Sequence, residues 1–389
     1  MQKRKKILLS ILAAAVLIPP TGSLVGLTIR RFWRIYHPNQ PLAMPPSTPM
    51  ERLNPLSRGP ASFLFPSPAQ RDSYPDHCQN IYNLVCQKQG VTHDPTGTVS
   101  SDVDGERQAL HIYRELIEQY KDYPGSDEQK VDLIAEALVQ HIFNPKQRGR
   151  ILSAYHWVMQ AIERFFERQP DTVFTPLEKH QIKSVLKRTR LEIPPPANVY
   201  ADEPDLLTKN EVYYERTVEE KMRLRVGGAY IFIAKSWFNL VFTLAHELAH
   251  SIDPCEMRSI RLSFPAYDRL TACFLQNGMI KTFKIRKECG QNDQLAETFA
   301  DWIAVEVTAE ALATFSTEFR GPQVINAARN SVRDLCDQDD DDELDMFLHP
   351  SPRIRIEKIF GSNSKIRNLL GCHPTLFKPS ECSFKGETE

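Results

Sequence analysis

Apolar residues recur every three to four positions over Glu106 to Tyr120, Gln129 to Phe143 and Ile151 to Phe166, which predicts three amphipathic helices. A fourth helix starts at Thr175-Pro176-Leu177-Glu178, where a threonine cap, a proline at the first helical position and a glutamate three residues after the cap form a capping box. Pro194-Pro195-Pro196 then interrupts the chain and marks a boundary between a helical lobe, 76–196, and a second domain, 197–389. Beyond it the period changes. Met222, Leu224 and Val226 alternate up to Gly227-Gly228, and Ala229 to Ala234 follow as a second apolar run, so the pattern predicts a hairpin. Its second strand leads into an apolar helix capped by Ser236, with Trp237, Leu240, Val241, Leu244, Leu248 and Ile252 at helical spacing and Pro254 as its end. Leu295, Phe299, Ile303 and Val307 predict another helix facing a core, and a further one begins near Arg353. The fold class is α+β, mainly helical with a small antiparallel sheet.

The N-terminus reads differently. A basic cluster from Lys3 to Lys6 precedes an apolar run from Ile7 to Ile18, and the uncharged stretch continues to Ile29, long enough against the about 20 residues a membrane span needs. Residues 1–30 are therefore a signal-anchor with its basic end inside, the favoured reading, or a cleaved signal peptide. Residues 31–75 form a tether, since ten prolines fall between 38 and 75. A net charge of −1 provides no electrostatic footprint for nucleic acid. The acidic run Asp337 to Asp345 lacks the glycine and spacing of a calcium loop. Eight cysteines, with no CxxC pair, point to disulfides in an oxidising compartment rather than to a zinc ribbon. The absence of any N-x-S/T sequon leans toward a bacterial periplasm or cell envelope.

Candidate chemistry is concentrated in three short stretches. In His246-Glu247-Leu248-Ala249-His250 the two histidines share one helix face and can reach one metal ion, while Glu247 lies beside the metal position as a general base. Two imidazoles leave zinc short of a third protein ligand, and no HExxHxxGxxH continuation supplies it. Glu297 and Asp301, four apart on the helix of Leu295 and Phe299, provide the alternative: Glu297 ligates, and Asp301 accepts the spare ring N–H of a ligating histidine. Asp253 could serve the other imidazole in the same way. In His349-Pro350-Ser351-Pro352-Arg353-Ile354-Arg355, a histidine suited to stabilising an oxyanion precedes two cations suited to a substrate carbonyl.

HELAHSID, then ETFAD, then HPSPRIR in this order resembles the neprilysin and endothelin-converting-enzyme family of zinc metallopeptidases, of gluzincin type. The resemblance implies a thermolysin-like core with a reduced helical second lobe, and one zinc per chain on His246, His250 and Glu297. It implies Glu247 as base, Asp301 behind His246, His349 as oxyanion donor and Arg355 as a substrate-binding cation, with Arg353 as its rival because the prolines fall at 350 and 352 instead of at the family's usual place. Asn210, in Asn210-Glu211-Val212, is the nearest match to the family's Asn-Ala substrate-binding motif, with Glu where the family has Ala. The resemblance also implies disulfides Cys78–Cys372, Cys86–Cys336 and Cys273–Cys382, which leaves Cys255–Cys289. It places an edge strand for an extended peptide just ahead of the HExxH helix. The expected reaction is hydrolysis of extracytoplasmic peptides by a zinc-activated water with Glu247 as base, by an endopeptidase rather than an aminopeptidase, for no GxMEN-like segment is present. The competing expectation is a zinc-binding but inactive ectodomain that serves as a scaffold.

Overall fold

The computed structural model describes residues 78, 80–86, 105–142, 145–193, 209–217, 221–232, 235–280, 294–316, 322–336, 349–372 and 381–385. In chain order the helices are α1 (Ile81–Cys86), α2 (Gly105–Tyr120), α3 (Asp127–Ile142), α4 (Pro145–Glu167) and α5 (Pro176–Arg188). Strands β1 (Arg190–Glu192), β2 (Val212–Arg216) and β3 (Met222–Val226) follow, then α6 (Gly228–Phe232), α7 (Trp237–Ala249), α8 (Pro254–Ser259) and α9 (Pro265–Gln276). The C-terminal part contains α10 (Gln294–Ser316), α11 (Pro322–Ser331), α12 (Arg333–Cys336), α13 (Pro352–Ile354), a π turn at Arg355–Phe360, and α14 (Ser364–Leu369). The predominance of helix with a small sheet agrees with the α+β expectation.

The predicted helices form for the predicted reasons. At the start of α5, Thr175 Oγ1 accepts the Glu178 N–H at 3.3 Å while Glu178 Oε2 accepts the Thr175 N–H at 2.7 Å, completing the capping box. α10 is buried on nearly every side, so its apolar residues run all round rather than along one stripe. It packs against α7, which in turn packs on α4.

The sheet departs from expectation in two ways. Its order is β1-β3-β2, with β1 parallel and β2 antiparallel to β3, so it is mixed rather than antiparallel. The partner of β3 comes from upstream, because Gly227 does not turn a hairpin. A Cβ at Gly227 would lie 2.1 Å from the Lys209 carbonyl oxygen, so only glycine lets the incoming chain approach. Glu211 O then accepts the Gly227 N–H at 2.9 Å. The apolar run that follows is the helix α6, and residues 233 and 234 lie outside the described residues. A short, fully apolar run has no period that separates strand from buried helix.

One hydrophobic core draws on residues from both sides of the 196 boundary, from Cys78 to Phe384. The C-terminal segment plugs it: the Phe384 ring lies 4.7 Å from Phe174, 5.0 Å from Trp302 and 5.7 Å from Phe166, centroid to centroid. Disulfides Cys78–Cys372, Cys86–Cys336 and Cys273–Cys382 are present, with Cα atoms 5.5, 5.3 and 5.6 Å apart. Cys255 is also disulfide-bonded, while Cys289, its expected partner, lies outside the described residues. So do the N-terminal segment and tether, Pro194-Pro195-Pro196, and the acidic run. Among the described residues no helix is long and apolar enough to cross a membrane.

Glu310 ties α10 to α4, accepting from Arg164 Nε at 2.9 Å and from Arg168 Nη2 at 2.5 Å. Burial pushes its carboxyl up, but the bonds from Arg168 and Arg164 outweigh this and hold it below its ordinary value. A depressed carboxyl contributes stability above its unfolded pKa of about 4.3 and loses it as the pH falls through the lower folded value. Glu310→Gln therefore lowers the melting temperature at pH 7 by an amount equivalent to about 0.5–1 kcal/mol, and the difference from wild type shrinks in acid. Thermal unfolding of both proteins across this range checks it, and an equal difference at every pH counts against it.

Candidate metal centre

Ser236 caps α7 by accepting the Phe238 N–H at 3.2 Å, and the periodicity that follows turns His246 to the buried side. α7 ends at Ala249, where a 3₁₀ turn, His250–Ile252, takes over. Asp253 then caps α8, its Oδ1 accepting the N–H groups of Cys255 and Glu256 at 2.7 Å, with Pro254 at the first helical position. The change of helix leaves the two imidazoles facing each other, Nε2 to Nε2 at 3.2 Å. From α10, Glu297 Oε2 lies 3.2 Å from His246 Nε2 and its Oε1 lies 3.5 Å from His250 Nε2. One ligand atom from each of His246, His250 and Glu297 falls within 4.8 Å of the others, so these residues could hold a metal ion.

Two observations fit that role. Glu297 Oε2 is a buried oxygen that accepts no well-directed hydrogen bond despite its two imidazole neighbours, as a ligand atom aimed at an ion would be. The supporting shell also presents the correct lone pair. Asp301 Oδ1 sits 2.9 Å from His246 Nδ1, which puts the proton on Nδ1 and leaves Nε2 to face the cluster. Asp253 Oδ2 is behind His250 at 3.5 Å from Nδ1, a longer reach because its other oxygen is engaged in capping.

Burial pushes the His246 imidazole down, but the neighbouring Asp301 and Glu297 carboxylates outweigh it and raise its pKa to about 9. His250 is likewise raised against burial, chiefly by the charge of Glu297 and the bond to Asp253. Burial pushes Glu297 up, and His250, His246 and His349 together hold it well below the usual carboxylate range. Burial also pushes Asp301 up, and Arg355 and His246 bring it to about 2.

Glu247 stands next to the cluster rather than in it. Its Oε2 accepts the backbone N–H of Tyr214 at 2.8 Å, and burial raises its pKa against the opposing charges of the two histidines. Tyr214 lies on β2, the outer strand of the described sheet, and there its N–H is taken by Glu247. Its ring stacks on His250 with centroids 6.5 Å apart. Asn210 lies two residues ahead of β2, half-buried.

His349 Nε2 approaches Glu297 Oε2 at 3.1 Å, while Gln294 Nε2 donates to the His349 carbonyl at 3.2 Å. Of the two arginines that competed for a substrate contact, Arg355 is turned onto Asp301, with Nε to Oδ2 at 2.7 Å and Nη2 to Oδ1 at 2.8 Å, both groups buried. Arg353 is exposed and pairs with Glu357 at 3.1 Å. Arg355 fixes the aspartate that fixes His246. Tyr214 and Gln294 were not legible as site residues. Tyr214 acts through a main-chain N–H that every non-proline residue has, and Gln294 through a carbonyl far along the chain. The chain matches no protein-family model, no curated protein and no solved structure, and its own residues carry the functional reading.

Proposed function

We propose that the protein is a zinc-dependent metallopeptidase with a thermolysin-like core, a shortened relative of the neprilysin type. The observation that carries this reading is an open donor cluster with an acid–base group beside it. His246, His250 and Glu297 converge, and Glu247 and His349 border them without joining the mutually close set. Three protein ligands with a position left over describe a catalytic zinc site rather than a closed structural one. Two imidazoles and a carboxylate suit zinc, whereas calcium and magnesium take oxygen alone.

Zinc held there would supply a Lewis acid for the peptide carbonyl and acidify water toward a pKa of about 7. The chain's own residues provide the rest. Glu247 takes the proton of the attacking water and delivers it to the leaving amine, and the Tyr214 N–H keeps its carboxylate in place. His349 donates to the carbonyl oxygen as negative charge develops on it. Asp301 and Arg355 orient His246 from behind. The outer strand β2, led in by Asn210, would guide an extended peptide past the donor cluster. The disulfides suit an oxidising, extracytoplasmic compartment, with residues 1–30 as signal or anchor to the membrane. A zinc-binding scaffold is the second reading, but it has no use for a buried carboxylate at Glu247, whose ionised form is costly there.

The test is metal analysis of the purified protein followed by digestion of a peptide library with and without chelator. The expected result is one zinc per chain, with cleavage that stops on chelation and returns with zinc. Zinc binding without cleavage favours the scaffold, and cleavage that survives removal of all metal overturns the reading.

A further inference from the structure

Gln294, Glu297 and Asp301 lie on one face of α10, and each meets a different part of the site. Asp301 holds His246, Glu297 joins the donor cluster, and Gln294 reaches His349. Gln294 is 3% exposed, a buried polar side chain in the first turn of α10. Burying an amide is unfavourable unless it is bonded, so its bond to the His349 carbonyl compensates for its being there. In the same turn, Glu297 Oε2 lies 3.1 Å from the ring of the same histidine. The first turn of α10 thus holds the main chain of His349 and borders its imidazole.

The rest of that segment is already restrained. Pro350 follows His349 with a fixed φ, Ser351 caps α13, and Arg355 forks onto Asp301 two turns along α10. The His349 side chain is 30% exposed, so packing alone does not fix it. The point at which the chain enters this bracket is the His349 carbonyl, and the bond from Gln294 ties it to the first turn of α10.

We propose that Gln294 is a positioning residue for His349, holding the main chain so that the imidazole points at the donor cluster. This rests on the peptidase reading, in which His349 serves the oxyanion. It requires a donor of glutamine's length at 294, so glutamate fails although it has the same shape.

A double-mutant cycle on the zinc-loaded full chain tests it, with kcat, KM, zinc content and melting temperature measured for Gln294→Met, Gln294→Glu, His349→Ala and Gln294→Met combined with His349→Ala. Gln294→Met loses about three- to tenfold in kcat, the scale of one net hydrogen bond, with KM and zinc content unchanged. With His349 already removed, the same substitution costs less than about twofold, because its effect passes through that ring. A purely structural glutamine gives the same loss in both backgrounds, and that result overturns the proposal, as does an active Gln294→Met. The second readout needs no activity: the ring ¹H–¹⁵N signals of His349, assigned by their disappearance in His349→Ala. In Gln294→Met and Gln294→Glu these signals shift or broaden. If they stay where they are in wild type, the proposal fails even if the protein proves to hydrolyse nothing. If they move in a protein without peptidase activity, the positioning stands and the peptidase reading falls.

Discussion

On the metallopeptidase reading, Glu297→Ala abolishes metal binding and hydrolytic activity together. Glu297 is the donor that α10 contributes to the cluster, and without it two imidazoles 3.2 Å apart are the protein ligands that remain. Loss of an outer partner of a metal ligand costs about ten- to hundredfold in affinity, and loss of the ligand itself costs more. Asp301→Asn provides the graded comparison. An asparagine oxygen still accepts the His246 Nδ1–H, but the charge that Arg355 grips is gone, so zinc binds about ten- to hundredfold more weakly and is still bound at saturation. Titration with zinc against a competing chelator measures both. A Glu297→Ala protein with full zinc content and full activity would show that the third ligand has been misassigned.

Glu247→Gln separates metal binding from chemistry. The variant keeps its zinc, because Glu247 is not among the mutually close donors, and it keeps its fold, because an amide oxygen still accepts the Tyr214 N–H. Burial already disfavours the charged form of Glu247, so removing that charge does not lower stability. What disappears is the proton acceptor, and turnover falls at least about a hundredfold with zinc stoichiometry unchanged. Single-turnover hydrolysis beside metal analysis of the same sample reads both quantities. Turnover within a few-fold of wild type would remove Glu247 from the mechanism.

The two experiments divide the site along the line on which it was legible. The candidate donors could be found in the sequence because they sit on or at the end of helices, where a spacing of four residues is itself a statement about shared faces. His246 and His250, and Glu297 and Asp301, each satisfy that rule within one stretch. The helices could be read for the same reason, since the periods of α4, α7 and α10 and the Thr175 capping box are local signals with local causes. The sheet was harder. Met222, Leu224 and Val226 alternate as a strand should, but pairing is a contact between distant segments, and the run after Gly227 is apolar without a period.

The sequence by itself thus determined the helical frame, the two histidines and two carboxylates on their helix faces, and an even set of cysteines. The tertiary structure decided how these meet. It placed β1 parallel to β3 and drew β2 against it from upstream, because the backbone at Lys209 to Glu211 closes over a glycine that has no Cβ to obstruct it. It turned Arg355 inward onto Asp301, since a carboxylate buried behind His246 needs a fixed counter-charge more than an exposed surface needs an arginine. It gave Glu247 its support from the Tyr214 N–H and His349 its support from Gln294. Main-chain donors and acceptors are the same at every residue, so only the fold selects which of them face a site.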